Sequence, residues 1–253
     1  MAAALRRWVA RLAVPCAVLA AAPAQAGPPY RTDDPEPVDI GHSEVYAFSA
    51  ATHFAGDIAG TLAGIDANYG AAPGLQLHAA LPIAFDSPDG RFVAGLGDVE
   101  LGAKYRFVTD DEDGWRPQMA IYPTVDFPTG NAERGLGTGR THLFLPLWLQ
   151  KSFAEWTSFA GVGHWSNPGP GSRDYWYYGW ALQRQLAPNL AVGAELFHQS
   201  ANAVGTKDQT GFDLGVTYDL DEHYHLLFSA GQGIHNRSTT NVFTYYAALQ
   251  VTY

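Results

Sequence analysis

The feature that most constrains this chain is a rhythm. From about residue 43 to the last residue, segments of roughly ten to fourteen residues alternate apolar with polar or small side chains, and Gly, Pro, Asp and Asn separate them. About twelve such segments follow one another: 43–55, 58–69, 74–85, 96–108, 115–127, 141–153, 156–166, 174–187, 190–200, 209–219, 223–233 and 241–253. A helical period competes with the alternation nowhere. The stretch GLGDVELGAKYRF, residues 95–107, shows it most clearly. Asp98, Glu100, Lys104 and Arg106 take every second position apart from Gly102, while Val99, Leu101, Ala103, Tyr105 and Phe107 fill the gaps. Such a strand suits a soluble sandwich with its apolar face inside, and equally a membrane barrel with its apolar face outside.

Other parts of the chain choose between the two. Residues 1–26 begin with Arg6, Arg7 and Arg11, continue with an apolar run from Leu12 to Ala22 and end Ala24-Gln25-Ala26, which reads as a cleaved secretory signal. Its apolar run falls well short of the ~20 residues that span a bilayer as a helix. No later run is long enough either, so membrane residence has to be by closed barrel, where every backbone polar group finds a partner within the sheet. The connections alternate in length: those containing DSPDGRFVA, PTGNAERGLGTG, SNPGPGSR and ANAVGTKD are long, and those near Gly70, Glu155, Pro188 and Asp221 are tight. Long outer loops and short periplasmic turns are the habit of outer-membrane barrels. The connection near Gly56 is too short for that rule.

The last strand, YYAALQVTY, puts Tyr245, Ala247, Leu249, Val251 and Tyr253 on one face and ends on an aromatic. This ending resembles the C-terminal signal read by barrel-assembly machinery, with Ala248 where a glycine is common. Aromatics in DYWYYGW and at Tyr245-Tyr246 sit near strand ends, where interfacial girdles belong. The expected fold is therefore all-β: a transmembrane antiparallel up-and-down barrel of about 12 strands over residues 43–253, preceded by the signal (1–26) and by an extended periplasmic segment or partial plug (27–42).

In that orientation the charged face lines the lumen. Lys or Arg facing lipid at the bilayer midplane would cost about 2–4 kcal/mol each, so Asp98, Glu100, Lys104 and Arg106 point inward. By the same alternation Gln76, His78, Asp126, Glu195 and Asp213 join them. Two roles are open to these residues: a wet pore lining that sets solute preference, or an internal ladder of ion pairs that fills the barrel. The 25 Asp and Glu residues against 15 Lys and Arg disfavour nucleic acid and polyanions as partners. The lone cysteine, Cys16, leaves with the signal, so no disulfide or thiolate metal site is expected.

Several segments, in order, resemble a known family. PYRTDDPEPVDIGHSE, IDANYG with GLQLHAALP, GLGDVELGAKYRF, DFPTGN, GAELFHQSA, GFDLGVTYDLDEHYHLLFSAGQG and YYAALQVTY are similar to outer-membrane proteins associated with the meta-pathway of phenol degradation, often called transporters. The resemblance implies a barrel of about twelve strands and passage of small hydrophobic or aromatic molecules across the outer membrane of a Gram-negative bacterium. It carries no catalytic residues with it.

Other motifs point elsewhere. HWSN (His164 to Asn167) and HQSAN (His198 to Asn202) look like the His-Ser motif of lipid A deacylase barrels, with Glu195 close in sequence to the second. The alternative to a channel is thus a lipid-modifying barrel enzyme acting through Ser166 or Ser200, and a third reading is a closed structural barrel. His223, His225 and His235 invite a metal, but no cysteine or carboxylate completes a ligand set. Asp110 to Asp113 lacks the spacing of a calcium loop, and GLGTG lacks the strand-to-helix setting of a phosphate loop. The role of Thr32-Asp33-Asp34-Pro35 is open between a plug inside the barrel and a periplasmic lead-in. The expectation is a passive channel without catalytic, cofactor or metal sites, whose partners are outer-membrane lipid, the assembly machinery and its solutes.

Overall fold

A side chain every 3.3 Å on alternating sides, with apolar groups on one side only, leaves a strand one way to settle in a bilayer, and the computed structural model follows it. Residues 29–54, 56–111 and 114–253 are described; the export signal read from residues 1–26 lies outside them. The wall is a single antiparallel sheet. Its strands are β1 (Ser43–Phe54), β2 (Asp57–Ala72), β3 (Leu75–Asp86), β4 (Val93–Leu96), β5 (Val99–Val108), β6 (Gln118–Ile121), β7 (Thr124–Phe127), β8 (His142–Phe153), β9 (Trp156–Ser166), β10 (Tyr175–Ala187), β11 (Leu190–Gln199), β12 (Gln209–Asp219), β13 (Tyr224–His235) and β14 (Phe243–Thr252).

Fourteen segments make twelve staves. β4 and β5 pair with successive parts of β3, and β6 and β7 with successive parts of β8, so each couple is one interrupted strand. The second interruption falls at Tyr122-Pro123, where proline removes a ladder donor. The first falls at Gly97-Asp98, where the Gly97 N–H still reaches the Pro82 carbonyl at 2.9 Å. β1 pairs with β14 from Glu44↔Thr252 to His53↔Phe243, which closes the sheet and leaves no edge.

The exterior is apolar. Leu77, Leu81, Leu101, Tyr105, Phe107, Trp176, Tyr178, Trp180, Leu214 and Phe228 are all exposed, whereas Gln76, His78, Lys104, Gln150, Glu195, Asp213, His225 and Gln250 are buried. A soluble protein cannot carry that distribution, because exposing each large apolar side chain to water costs about 1.5–3 kcal/mol. The protein is a membrane-spanning barrel of the outer-membrane type. Ser43 and Tyr253 exchange backbone hydrogen bonds of 2.9 and 3.1 Å at one end, here called the near mouth. The connections 73–74, 154–155 and 188–189 also lie there. At the far mouth the chain from 128 to 141 folds back onto the wall, and Leu136, 2% exposed, packs against Gly95 of β4.

Candidate functional site

Residues 29–42 lie inside the barrel, not beside it. The segment enters at the near mouth, where Ile40 bridges Gly70 of β2 and the Gly41 N–H donates to the Gly70 carbonyl at 2.9 Å. The Val38 N–H then donates to Gln76 Oε1 at 2.9 Å. Arg106 Nη1 stands 3.8 Å from Glu36. Lys104, buried on β5, holds both acids of the Thr32-Asp33-Asp34-Pro35 motif: its Nζ is 3.2 Å from Asp33 Oδ2 and 3.3 Å from Asp34 Oδ1. Burial pushes the Asp34 carboxyl above the ordinary carboxylate range against the pull of that ammonium.

The segment ends its crossing at β10–β12. Thr32, fully buried, donates to Glu195 through its backbone N–H (2.7 Å) and its hydroxyl (2.6 Å), and the Arg31 N–H adds a third bond to the same carboxylate at 3.1 Å. The Tyr177 hydroxyl supplies a fourth at 2.8 Å. Arg31 Nε is 3.9 Å from Asp213, and its guanidinium lies 4.4 Å from the centre of the Phe197 ring. Inward glycines make the room. A Cβ at Gly179 would overlap Thr32 Oγ1, and one at Gly215 would overlap the Tyr30 ring.

The other residues expected in the lumen fall into two groups. His78 and Glu100 form a pair at 2.8 Å, with Asn68 and Asp66 within 3.1 Å of the other ring nitrogen and Asp126 opposite Glu100 on β7. Asp98 sits between β4 and β5 and accepts bonds from the Gly130 N–H (2.9 Å) and from the Thr138 N–H and hydroxyl (2.7 Å each). Its role is to pin the far-mouth loop.

Space remains along one side. A cavity of 280 Å³ lies against Tyr30, Arg31, Thr244 and Tyr246, one of 320 Å³ against Lys104, Asp66, His78 and Glu44, and one of 610 Å³ at the near mouth against Asp39, Asp219 and His225. The first two share Tyr30, Arg31 and Tyr246, and the last two share Glu44. Together they form a broken path between the segment and the β1–β14 wall.

The opposite side is filled with rings. Phe144, Trp148, Trp165, Tyr175, Tyr177 and Phe197 all occupy inward positions on β8–β11. Two of the five aromatics in DYWYYGW therefore face the lumen instead of the girdle, since Trp176, Tyr178 and Trp180 face out while Tyr175 and Tyr177 face in. The parity signal was available: Tyr175 and Tyr177 share their face with Gln183. Likewise Tyr246 turns inward and stacks on Phe48 at 6.1 Å.

Neither His-x-Ser pair assembles a charge relay among the described residues. His164 faces out, edge-on to Trp176 at 4.8 Å. His198 also faces out and its Nδ1 lies 2.9 Å from Thr210 Oγ1, whereas Glu195, an odd number of residues away, points to the lumen. Ser200 Oγ accepts from the Trp176 N–H at 2.9 Å. His225 is buried against Asp219 (2.7 Å) while His223 is exposed in the preceding turn, and no three His, Asp or Glu side chains among the described residues are arranged to hold a metal ion.

Solved structures with this fold include the KdgM porin (TM-score 0.58, 9% identity, covering 83% of this chain and 99% of that one) and the NanC porin (0.54, 8%, 83% and 98%). The β domain of the Bordetella autotransporter BrkA matches as well (0.54, 15%, 85% and 100%). No curated protein matches the sequence. A family model does, from Pro35 on the lumenal segment to Val251 on the closing strand, and the chain belongs to that family, described as "Putative MetA-pathway of phenol degradation".

Proposed function

We propose that the barrel is a passive, non-enzymatic outer-membrane channel for small hydrophobic or aromatic compounds, with residues 29–42 as the element that sets its aperture. After export across the inner membrane of a Gram-negative bacterium, the near mouth faces the periplasm and the far mouth the medium. The observation that carries the reading is the row of three cavities, 280, 320 and 610 Å³, which run past the segment and share lining residues where they meet. Their size suits a single ring and excludes a polymer. Movement is downhill, since a barrel of this kind offers its solute only a lined path.

The family's link with phenol degradation supports an aromatic solute. A catalytic reading has less support, because Glu195 and His198 lie on opposite faces of β11. Purified protein in planar bilayers and in liposomes tests the proposal: discrete conductance steps and accelerated swelling with phenol are expected. Well-folded protein that yields neither would overturn it.

A further inference from the structure

Glu195 of β11 and Asp213 of β12 stand directly opposite each other in the ladder, both on the lumenal face and both buried, at 2% and 3% exposure. The N-terminal segment treats them differently. Glu195 collects four hydrogen bonds, whereas Asp213 meets only the Arg31 guanidinium, 3.9 Å from Oδ2, and its Oδ1 has no partner among the described residues. A buried carboxylate oxygen without a donor is costly, so the space it faces matters.

That space is a cavity. Gly231 of β13 pairs with Asp213 on one side and with Thr244 of β14 on the other. A Cβ at Gly231 would overlap Oδ1, so the oxygen lies over this glycine, turned toward Thr244. Asp213, Ser229 and Thr244 form one wall of the 280 Å³ cavity, and Ala50, Ala51 and Tyr246 form another. Arg31 borders the same space, its Nη2 donating to Thr244 Oγ1 at 3.3 Å. A chamber walled in part by alanines and a ring thus holds an unpartnered acceptor beside a guanidinium.

The two groups together select a ligand. The guanidinium disfavours an ammonium and the carboxylate disfavours an anion, while a neutral hydroxyl suits both, donating to Asp213 Oδ1 and accepting from Arg31. We propose that the 280 Å³ cavity is a binding site for small neutral compounds with a hydroxyl on an aromatic ring, and that Asp213 is the residue that recognises the hydroxyl. The aromatic part rests on the channel reading, in which this cavity lies on the solute's path; the hydroxyl part rests on Asp213 and its surroundings.

The test uses the full barrel in lipid nanodiscs and titration calorimetry, with protein-free nanodiscs as the reference and phenol and anisole as probes. Anisole keeps the ring and lacks the donor. Phenol is expected to bind saturably and about tenfold or more tighter than anisole, because its hydroxyl meets a charged acceptor. Asp213→Asn should bring the two probes to within about threefold of each other. Ala50→Leu, which fills the cavity and leaves the carboxylate in place, should weaken phenol about tenfold or more. Equal affinities in the wild type, or saturable binding of neither probe, overturn the site, and this comparison decides whether or not a variant folds. A phenol preference that survives in folded Asp213→Asn overturns the role of Asp213. Phenol flux into liposomes separates the site from the channel: selective binding without flux keeps the site and sinks the channel, and flux without selective binding does the reverse.

Discussion

The two sides of the lumen are built from different chemistry on the same backbone. On β8–β12 a cluster of inward rings and glycines packs against Tyr30 and Thr32 around the two carboxylates Glu195 and Asp213. On β1–β5 carboxylates, amides, His78 and Lys104 predominate around a cavity. Rings fill space and leave none for water, whereas charges need partners at set distances and leave gaps where the partners do not meet. The N-terminal segment bridges the two, tied by ion pairs to the charged side and seated among glycines on the other. In the proposed channel, aperture then depends on two unlike attachments, and each can be cut separately.

Cutting the charged attachment should have the largest effect. Lys104→Ala leaves the buried Asp34 without its cation and removes the partner of half-exposed Asp33, and removing one member of a buried pair costs about 3–5 kcal/mol. The segment is expected to leave the lumen and single-channel conductance to rise several-fold; an unchanged conductance would show that the ion pairs do not hold it. Glu195→Gln comes next, since the carboxylate collects four hydrogen bonds and bonds to a charged group contribute about 1.5–3 kcal/mol each. Partial opening, seen as flicker between two conductance levels, is the expected record.

Gly179→Ala attacks the seat without touching a charge. The added methyl meets Thr32 Oγ1 and the Tyr177 hydroxyl, an overpacking worth roughly 1–3 kcal/mol. Conductance should rise while the melting temperature of the barrel changes little; loss of the folded barrel instead would mean that the glycine serves the wall and not the segment.

The smallest effect concerns pH. Asp34 sits above the ordinary carboxylate range in the docked segment, so docking takes up a proton and is strongest in acid, weakening as the pH rises through the raised value. Lys104, Asp33, Glu36 and Glu44 line the same cavity as that carboxylate, and Arg106 stands 3.8 Å from Glu36. Wild-type conductance should be lower near about pH 4 than near pH 7, and the effect of Lys104→Ala should shrink in acid, where a protonated Asp34 no longer needs the cation. A flat profile in both proteins would remove Asp34 from the mechanism.

Most of the wall was legible because a strand has a period of two and the bilayer accepts only one of its faces. The spans read from alternation agree with the observed strands to within a few residues, and Gln76, His78, Lys104, Glu195 and Asp213, which parity turns inward, are buried. The breaks at Gly97-Asp98 and Tyr122-Pro123 were less visible, since glycine and proline mark turns as often as interruptions. DYWYYGW was harder still: amphipathic rings suit both a girdle and a lumen, so composition alone left their direction open.

What the sequence determined by itself is therefore the barrel and its strand count, both local consequences of alternation. Only the tertiary structure decided what the charges meet. Lys104 and Asp34 are seventy residues apart, Thr32 and Glu195 more than twice that, and no local period relates them. Closure of the sheet puts the two ends of each pair a few ångströms apart, and it turns an acidic, proline-rich lead into a segment that crosses the lumen.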